Sequence, residues 1–322
     1  MTKKKKKNTS IQIDYQFSLY GYEKYFSIFN KLYLKKKLPN SILLSGQKGS
    51  GKFAFANHFS NYLLSKGDQN IYDLKNFKIN IDSNCYKLSK DNIHPNLFRI
   101  DNNLNDTGIE EIRSLINFLN KSSDLDNLKI ILIDNIENLN KNSSNALLKV
   151  LEEPKINTYF FLIFDNKKKI LNTIKSRCFE FKISFSKTEK DKIFTNLLKN
   201  HNINDINVET YNLLNYDSPG NILNYIISLG DSYSDLSKFE SDFIIKCIKK
   251  YEMEKDVNLF NTIFFLIQNF YYKICLNNIN NINIRLTNYK KIIDQIYYLK
   301  KFNLNEKSIL KSISNDIYNE QR

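Results

Sequence analysis

Gly46-Gln-Lys-Gly49-Ser-Gly51-Lys52 sets three glycines and a lysine at the GxxxxGK spacing. A loop of that kind wraps a phosphate in backbone N–H groups, and the lysine adds a positive charge on the β/γ oxygens. The apolar run Ile42-Leu-Leu44 before it reads as a buried strand. Ala54, Phe55, Phe59, Leu63 and Leu64 after it read as a helix, so the loop would open onto a helix N-terminus. Gly46, Gly49, Gly51 and Lys52 are therefore candidate nucleotide-binding residues, with ATP or ADP as the ligand such a loop takes. Position 53 departs from the pattern. Phe53 stands where a serine or threonine hydroxyl would ligate Mg²⁺, and it has no oxygen to offer. The loop could hold a nucleotide or stand without one.

A second constellation lies eighty residues on. Lys129-Ile-Ile-Leu-Ile-Asp134 is too short for a helix and rich in β-branched residues, as a strand buried on both faces would be. It ends in Asp134, at the carboxyl edge where open α/β sheets carry their sites. Asp134 could order a metal's water shell beside the loop, or merely cap the strand end. The next residue, Asn135, is an amide and cannot act as a general base, and Glu137 is expected to point elsewhere. Ala146, Leu147, Leu148 and Leu151 form one broad helical face that Pro154 ends. Thr158-Tyr-Phe-Phe-Leu-Ile-Phe164 is a further buried strand, and the chain then reaches Ser176-Arg177-Cys178. Taken alone, an arginine there is a solvated surface charge.

Strand–Asp–helix–strand–Arg after a phosphate loop is the core of an AAA+ P-loop domain. The wording Asn145-Ala-Leu-Leu-Lys-Val-Leu-Glu-Glu-Pro154 with Ser176-Arg177-Cys178 resembles the bacterial clamp-loader subunits, the gamma/tau and delta-prime chains of DNA polymerase III. Leu19-Tyr-Gly-Tyr-Glu23, Leu38-Pro-Asn40 and His94-Pro95-Asn-Leu-Phe98 add to the likeness, which is strongest over 38–53 and 129–183 and weakest after 236. It implies an α/β AAA+ domain with a parallel sheet over 15–184, a small helical lid over 185–233 and an all-α collar for oligomerisation over 234–322. It implies that Arg177 is an arginine finger projecting into the nucleotide site of the next subunit. It also implies partners: gamma/tau and delta subunits in a hetero-pentamer, the sliding clamp and primed DNA. Two of the family's cis-acting groups are replaced, by Phe53 and Asn135. A third is Asn221 in Asp217-Ser-Pro-Gly220-Asn221, where the family carries a second sensor arginine. The first sensor falls at Asp165 or Asn166. Losing the groups that work in cis while keeping the one that works in trans fits the stationary, delta-prime type, with no reaction of its own inside a DNA polymerase complex. The alternative is a hydrolysing gamma-type ATPase using Lys52 and Asp134. A DNA-binding scaffold outside replication is a third reading.

Composition bounds these readings. A chain of 322 residues with 42% hydrophobic content supports two or three cores. A net charge of +14 suits a polyanionic partner, though Lys, Asn and Ile are over-used everywhere. Part of the charge is the run Lys3 to Lys7, in a tail over 1–14 expected to be disordered. The four cysteines are far apart, with no CxxC pair, so no zinc and no disulfide framework are expected. His94 has no companion ligand nearby and reads as structural. Leu259 to Leu276 is interrupted by Asn261, Gln268, Asn269 and Lys273, so it reads as a core helix rather than a membrane span, and the chain as cytoplasmic. Residues 65–95 are polar and weakly patterned, and read as a surface excursion. Thr107-Gly-Ile-Glu110 and Ser186-Lys-Thr-Glu189 are capping boxes, and a helix is expected from about Val208 to Leu214.

Overall fold

The computed structural model describes residues 16–101, 108–120, 128–203, 212, 217–230, 232, 239–277, 281–302 and 305–320. The expected tail over 1–14, the cap residue Thr107 and most of the helix expected over Val208 to Leu214 lie outside them. The described residues fall into two compact units, one holding 16–196 with 218–220, the other 197–217 and 221–320.

The first unit is built on five parallel strands: β1 (Ser41–Gly46), β2 (Leu97–Asp101), β3 (Lys129–Asp134), β4 (Thr158–Asp165) and β5 (Phe179–Lys182). Their order is β2-β3-β4-β1-β5. The helices in this unit are α1 (Glu23–Leu34), α2 (Lys52–Leu64), α3 (Asn84–Lys90), α4 (Ile109–Asn120), α5 (Lys141–Glu152), α6 (Asn172–Lys175) and most of α7 (Lys187–Asn200). Strand periodicity splits each apolar run between two cores, because successive side chains point to opposite faces. Ile130 and Leu132 pack with Phe26, Phe29, Phe55, Phe59 and Phe161 on one side. Ile131 and Ile133 pack with Ile112, Leu115, Leu147, Leu151 and Phe160 on the other. That is why these strands read as unbroken hydrophobic runs.

Two lysines close the far end of α4. Lys129 Nζ donates to the carbonyls of Phe118 and Leu119 at 3.0 and 3.4 Å, and Lys155 Nζ donates to Leu119 at 2.8 Å. The last carbonyls of a helix have no intrahelical donor, and cations there suit its dipole. At the start of α7 the Ser186–Glu189 box forms as expected, Ser186 N donating to Glu189 at 2.7 Å.

The segment 65–95 is more than a surface excursion. Tyr72, Ile79, Cys85 and Tyr86 are buried, and Tyr72 stacks on Phe26 with centroids 5.6 Å apart. Its apolar residues are spaced too irregularly to carry a helical or strand period, so pattern reading misses them. The same segment encloses His58, which is fully buried. Its Nε2 donates to the Gln16 carbonyl at 2.7 Å, and Nδ1 accepts from the Tyr72 hydroxyl at 3.0 Å. Burial pushes its pKa from 6.5 down to about 4, against the opposing pull of the Gln16 carbonyl. Between those two values the unfolded chain takes up a proton that the folded chain refuses. Stability should therefore fall as pH drops from 6.5 toward 4, at up to about 1.4 kcal/mol per pH unit. Denaturant unfolding of wild type and His58→Asn across that range checks it, the variant showing the shallower dependence.

The second unit is helical: α8 (Pro219–Leu229, from Asn221 on), α9 (Ser241–Glu254), α10 (Val257–Asn277), α11 (Ile282–Phe302) and α12 (Glu306–Asn319). α9 packs on α10 and α12, and α11 packs on both α10 and α12. Ile244, Ile248, Leu259, Leu266, Ile292, Ile313 and Ile317 fill the space between them. Among the described residues, no helix is long and apolar enough to cross a membrane. α10 buries Asn269, whose Nδ2 donates to the Phe265 carbonyl one turn back.

Candidate functional site

β1 ends at Gly46 and α2 begins at Lys52, so the phosphate loop sits at the carboxyl edge of the sheet as expected. Gly49 and Gly51 have φ of 76° and 89°, a region where a side chain is strained. Every carbonyl of the loop finds a donor from this chain. Lys52 Nζ donates to Gly46 and Gln47 at 2.8 and 2.7 Å. Ser218 Oγ donates to Lys48 at 2.7 Å, and Gly220 N donates to Gly49 at 3.0 Å. The Tyr22 hydroxyl donates to Ser50 at 3.0 Å, and Phe55 N takes Gly51. The backbone N–H groups of Lys48, Gly49 and Gly51 find no acceptor among the described residues. The loop keeps the polarity of an anion cradle, carbonyls tied and amides spare.

Tyr22 and Ser218 were not legible as site residues. Tyr22 is fully buried, stacks on Phe55 at 5.0 Å and lies against Gly51. Pro219 opens α8 as its sequence suggests, while Gly220 has a second reason to be glycine: a Cβ there would meet the Gly49 carbonyl at 2.5 Å. Nothing in a local pattern reports a contact across 170 residues.

The metal side of the site is not assembled. Phe53 packs with the aromatic core. Both Asp134 oxygens are taken by the next residue, Oδ1 by the Asn135 backbone N–H and Oδ2 by its Nδ2, each at 2.9 Å. Asn135 adopts the left-handed conformation that asparagine tolerates. Burial, then the facing Asp101, push the Asp134 pKa up to about 7, so near neutral pH it is a weaker anion than a usual carboxylate. At the positions where the pattern needs them, Phe53 offers Mg²⁺ no hydroxyl, Asn135 offers no base, and each oxygen of Asp134 already accepts a hydrogen bond from Asn135. Glu137 does not turn away from the loop as the sequence reading has it. Its side chain is 1% exposed, accepts from Asp165 N at 3.4 Å and pairs with Lys168 at 3.5 Å. Burial lowers the Lys52 pKa to about 8, and Asp165, Asp134 and Glu137 together hold it up. A cleft of about 980 Å³ beside the loop is lined by Gly46, Glu137, Asn166, Lys168, Lys175 and Lys182.

Asp165 is buried at the end of β4, and Asn166 N donates to the Gly46 carbonyl at 3.3 Å. In the second unit, Asn221 Nδ2 donates to Asp217 at 2.7 Å. Among the described residues no three His, Cys, Asp or Glu side chains are grouped as a metal site. Cys85 and Cys178 are held as thiols, burial raising each to about 12.

Arg177 lies at the other edge of the sheet. It comes two residues before β5, whose first residue, Phe179, pairs with Ile42 of β1. Gly46 is four residues further along β1, which is about 13 Å at the rise of a strand. The Arg177 side chain is 34% exposed and rests on Glu152: Nε donates to a carboxylate oxygen at 2.7 Å, and Nη2 is ion-paired with the same oxygen at 2.5 Å.

A parallel sheet with a phosphate loop after β1, an aspartate ending β3 and an arginine before β5 defines a P-loop domain of the AAA+ type. Residues 21–187 match the family described as "DNA polymerase III, delta subunit". The chain is 35% identical over 298 residues to the DNA polymerase III subunit delta' of Buchnera aphidicola subsp. Schizaphis graminum, covering 87% of this chain and 84% of that one. It is 30% identical over 268 residues to the delta' subunit of Buchnera aphidicola subsp. Baizongia pistaciae, covering 80% and 68%. The chain belongs to the DNA polymerase III delta-prime subunit family. A gamma subunit-related protein of DNA polymerase III from Thermotoga maritima shares the fold, with a TM-score of 0.50 and 20% identity over 91% of this chain and 99% of that one.

Proposed function

We propose that this chain is a non-hydrolysing subunit of the DNA polymerase III clamp loader that lends Arg177 to a nucleotide bound by a neighbouring gamma/tau subunit. The observation that carries the reading is topological. Arg177 precedes β5 at the amino edge of the sheet, and the phosphate loop follows β1 at the carboxyl edge. An exposed guanidinium on that edge can meet a γ-phosphate only if another molecule brings it. Stabilising the charge that develops on a transferred phosphoryl group is what such an arginine does.

The loop itself supports anion binding, so ATP or ADP remains its ligand class, but not hydrolysis. Phe53 offers no metal ligand, Asn135 no general base, and Asp134 is occupied by Asn135. In this account the helices from about 234 onward form the collar that joins gamma/tau and delta subunits in a pentamer. The assembly, in the cytoplasm, opens the sliding clamp and sets it on primed DNA, with the basic balance of the chain favouring the polyanion.

The purified chain should release no phosphate from ATP above background with magnesium present. Magnesium-dependent hydrolysis that disappears in Lys52→Ala would instead favour a gamma-type ATPase.

A further inference from the structure

We infer that Glu152 is a positioning residue for Arg177, holding its guanidinium so that the outer edge faces a partner's phosphate. The inference rests on the reading of Arg177 as a finger in trans. A guanidinium carries five N–H donors in a fixed fork. Here Nε donates to Glu152 Oε1, Nη2 is ion-paired with that same oxygen, and Nη1 donates to the Thr173 carbonyl at 3.0 Å. Nη1 also makes a long 3.5 Å contact with Ser176 Oγ. Nη1 and Nη2 carry two N–H groups each, and the end-on pair between them is the edge that binds phosphate oxygens two at a time. Glu152 therefore restrains the side chain while leaving its recognition edge open.

The location of Glu152 points the same way. It is the last residue of α5, followed by Glu153 and Pro154. A carboxylate at a helix C-terminus opposes the helix dipole, so α5 gains nothing from it. A partly exposed ion pair contributes little to folding either. What Glu152 does achieve is to fix one of the longest and most mobile side chains at a point 25 residues away in sequence. Reducing the freedom of a group before it meets its target is how positioning raises a rate.

The test uses a complex reassembled from this chain, gamma- and delta-type partners, clamp and primed DNA. Hydrolysis is read at the ATP site bordering this chain, and assembly is followed by complex size. Glu152→Ala should lower kcat there about 10-fold with KM little changed. Glu152→Gln keeps an oxygen acceptor at the same reach, and should recover most of the loss. Arg177→Ala in parallel separates the two claims. If Arg177→Ala is slow while Glu152→Ala turns over as wild type or faster, Glu152 does not position the finger and the inference is overturned. If Arg177→Ala is itself unchanged, the finger reading fails and takes this one with it.

Discussion

Arg177→Ala is expected to slow ATP hydrolysis at the adjoining site of the assembled clamp loader by about 10³-fold, the lower end of what a trans arginine supplies. The complex itself should still form, because the side chain is partly exposed and its ion pair with Glu152 adds little to stability. Arg177→Lys should rescue poorly. An ammonium on a flexible stem cannot reproduce the planar, two-point contact of a guanidinium. The readout is DNA-stimulated phosphate release, paired with sedimentation or size-exclusion of the same preparation. A variant that assembles normally and turns over at the wild-type rate would remove Arg177 from the chemistry.

Phe55→Ala should lower the unfolding free energy of the first unit by about 3–5 kcal/mol. Phe55 is fully buried one turn into α2, three residues after Lys52. It stacks on Tyr22 at 5.0 Å and meets Phe29 edge-on at 5.0 Å. Truncation would empty a space bounded by rings that cannot all close in. It would also take away the platform for Tyr22, whose hydroxyl holds the Ser50 carbonyl of the phosphate loop. Urea unfolding should move to a lower midpoint with an unchanged slope. A loss below about 1 kcal/mol would mean that the aromatic core around the loop repacks freely and does not hold Tyr22 in place.

Much of the first unit could be read directly from the chain. The runs at 130–133 and 160–164 are buried on both faces and therefore uninterrupted. The loop, Asp134 and Arg177 are marked by short, contiguous wording, and all fall where the strand order requires. What could not be read depends on contacts between distant segments. Ser218 bonds the loop across 170 residues, Tyr22 across 28, and Glu152 reaches Arg177 across 25. Periodicity carries no information about such pairs. Glu137 misled for a related reason. Strand alternation would turn it away, but β3 ends at Asp134, and the left-handed Asn135 with the 3₁₀ turn at Ile136–Asn138 redirects it inward. The buried tyrosines at 72 and 86 were hidden among polar residues with no period to announce them.

Arg177 acts in trans only if its guanidinium points at the neighbour's nucleotide once the partner arrives. The most direct measurement is a structure of the assembled complex holding ADP and beryllium fluoride in the neighbouring ATPase subunit. Arg177 nitrogens are expected within about 3 Å of the fluoride that mimics the γ-phosphate, with Glu152 still bound to Nε. Finding Arg177 turned to a phosphate in its own loop, or lying only on Glu152 and away from the neighbour's nucleotide, would contradict it.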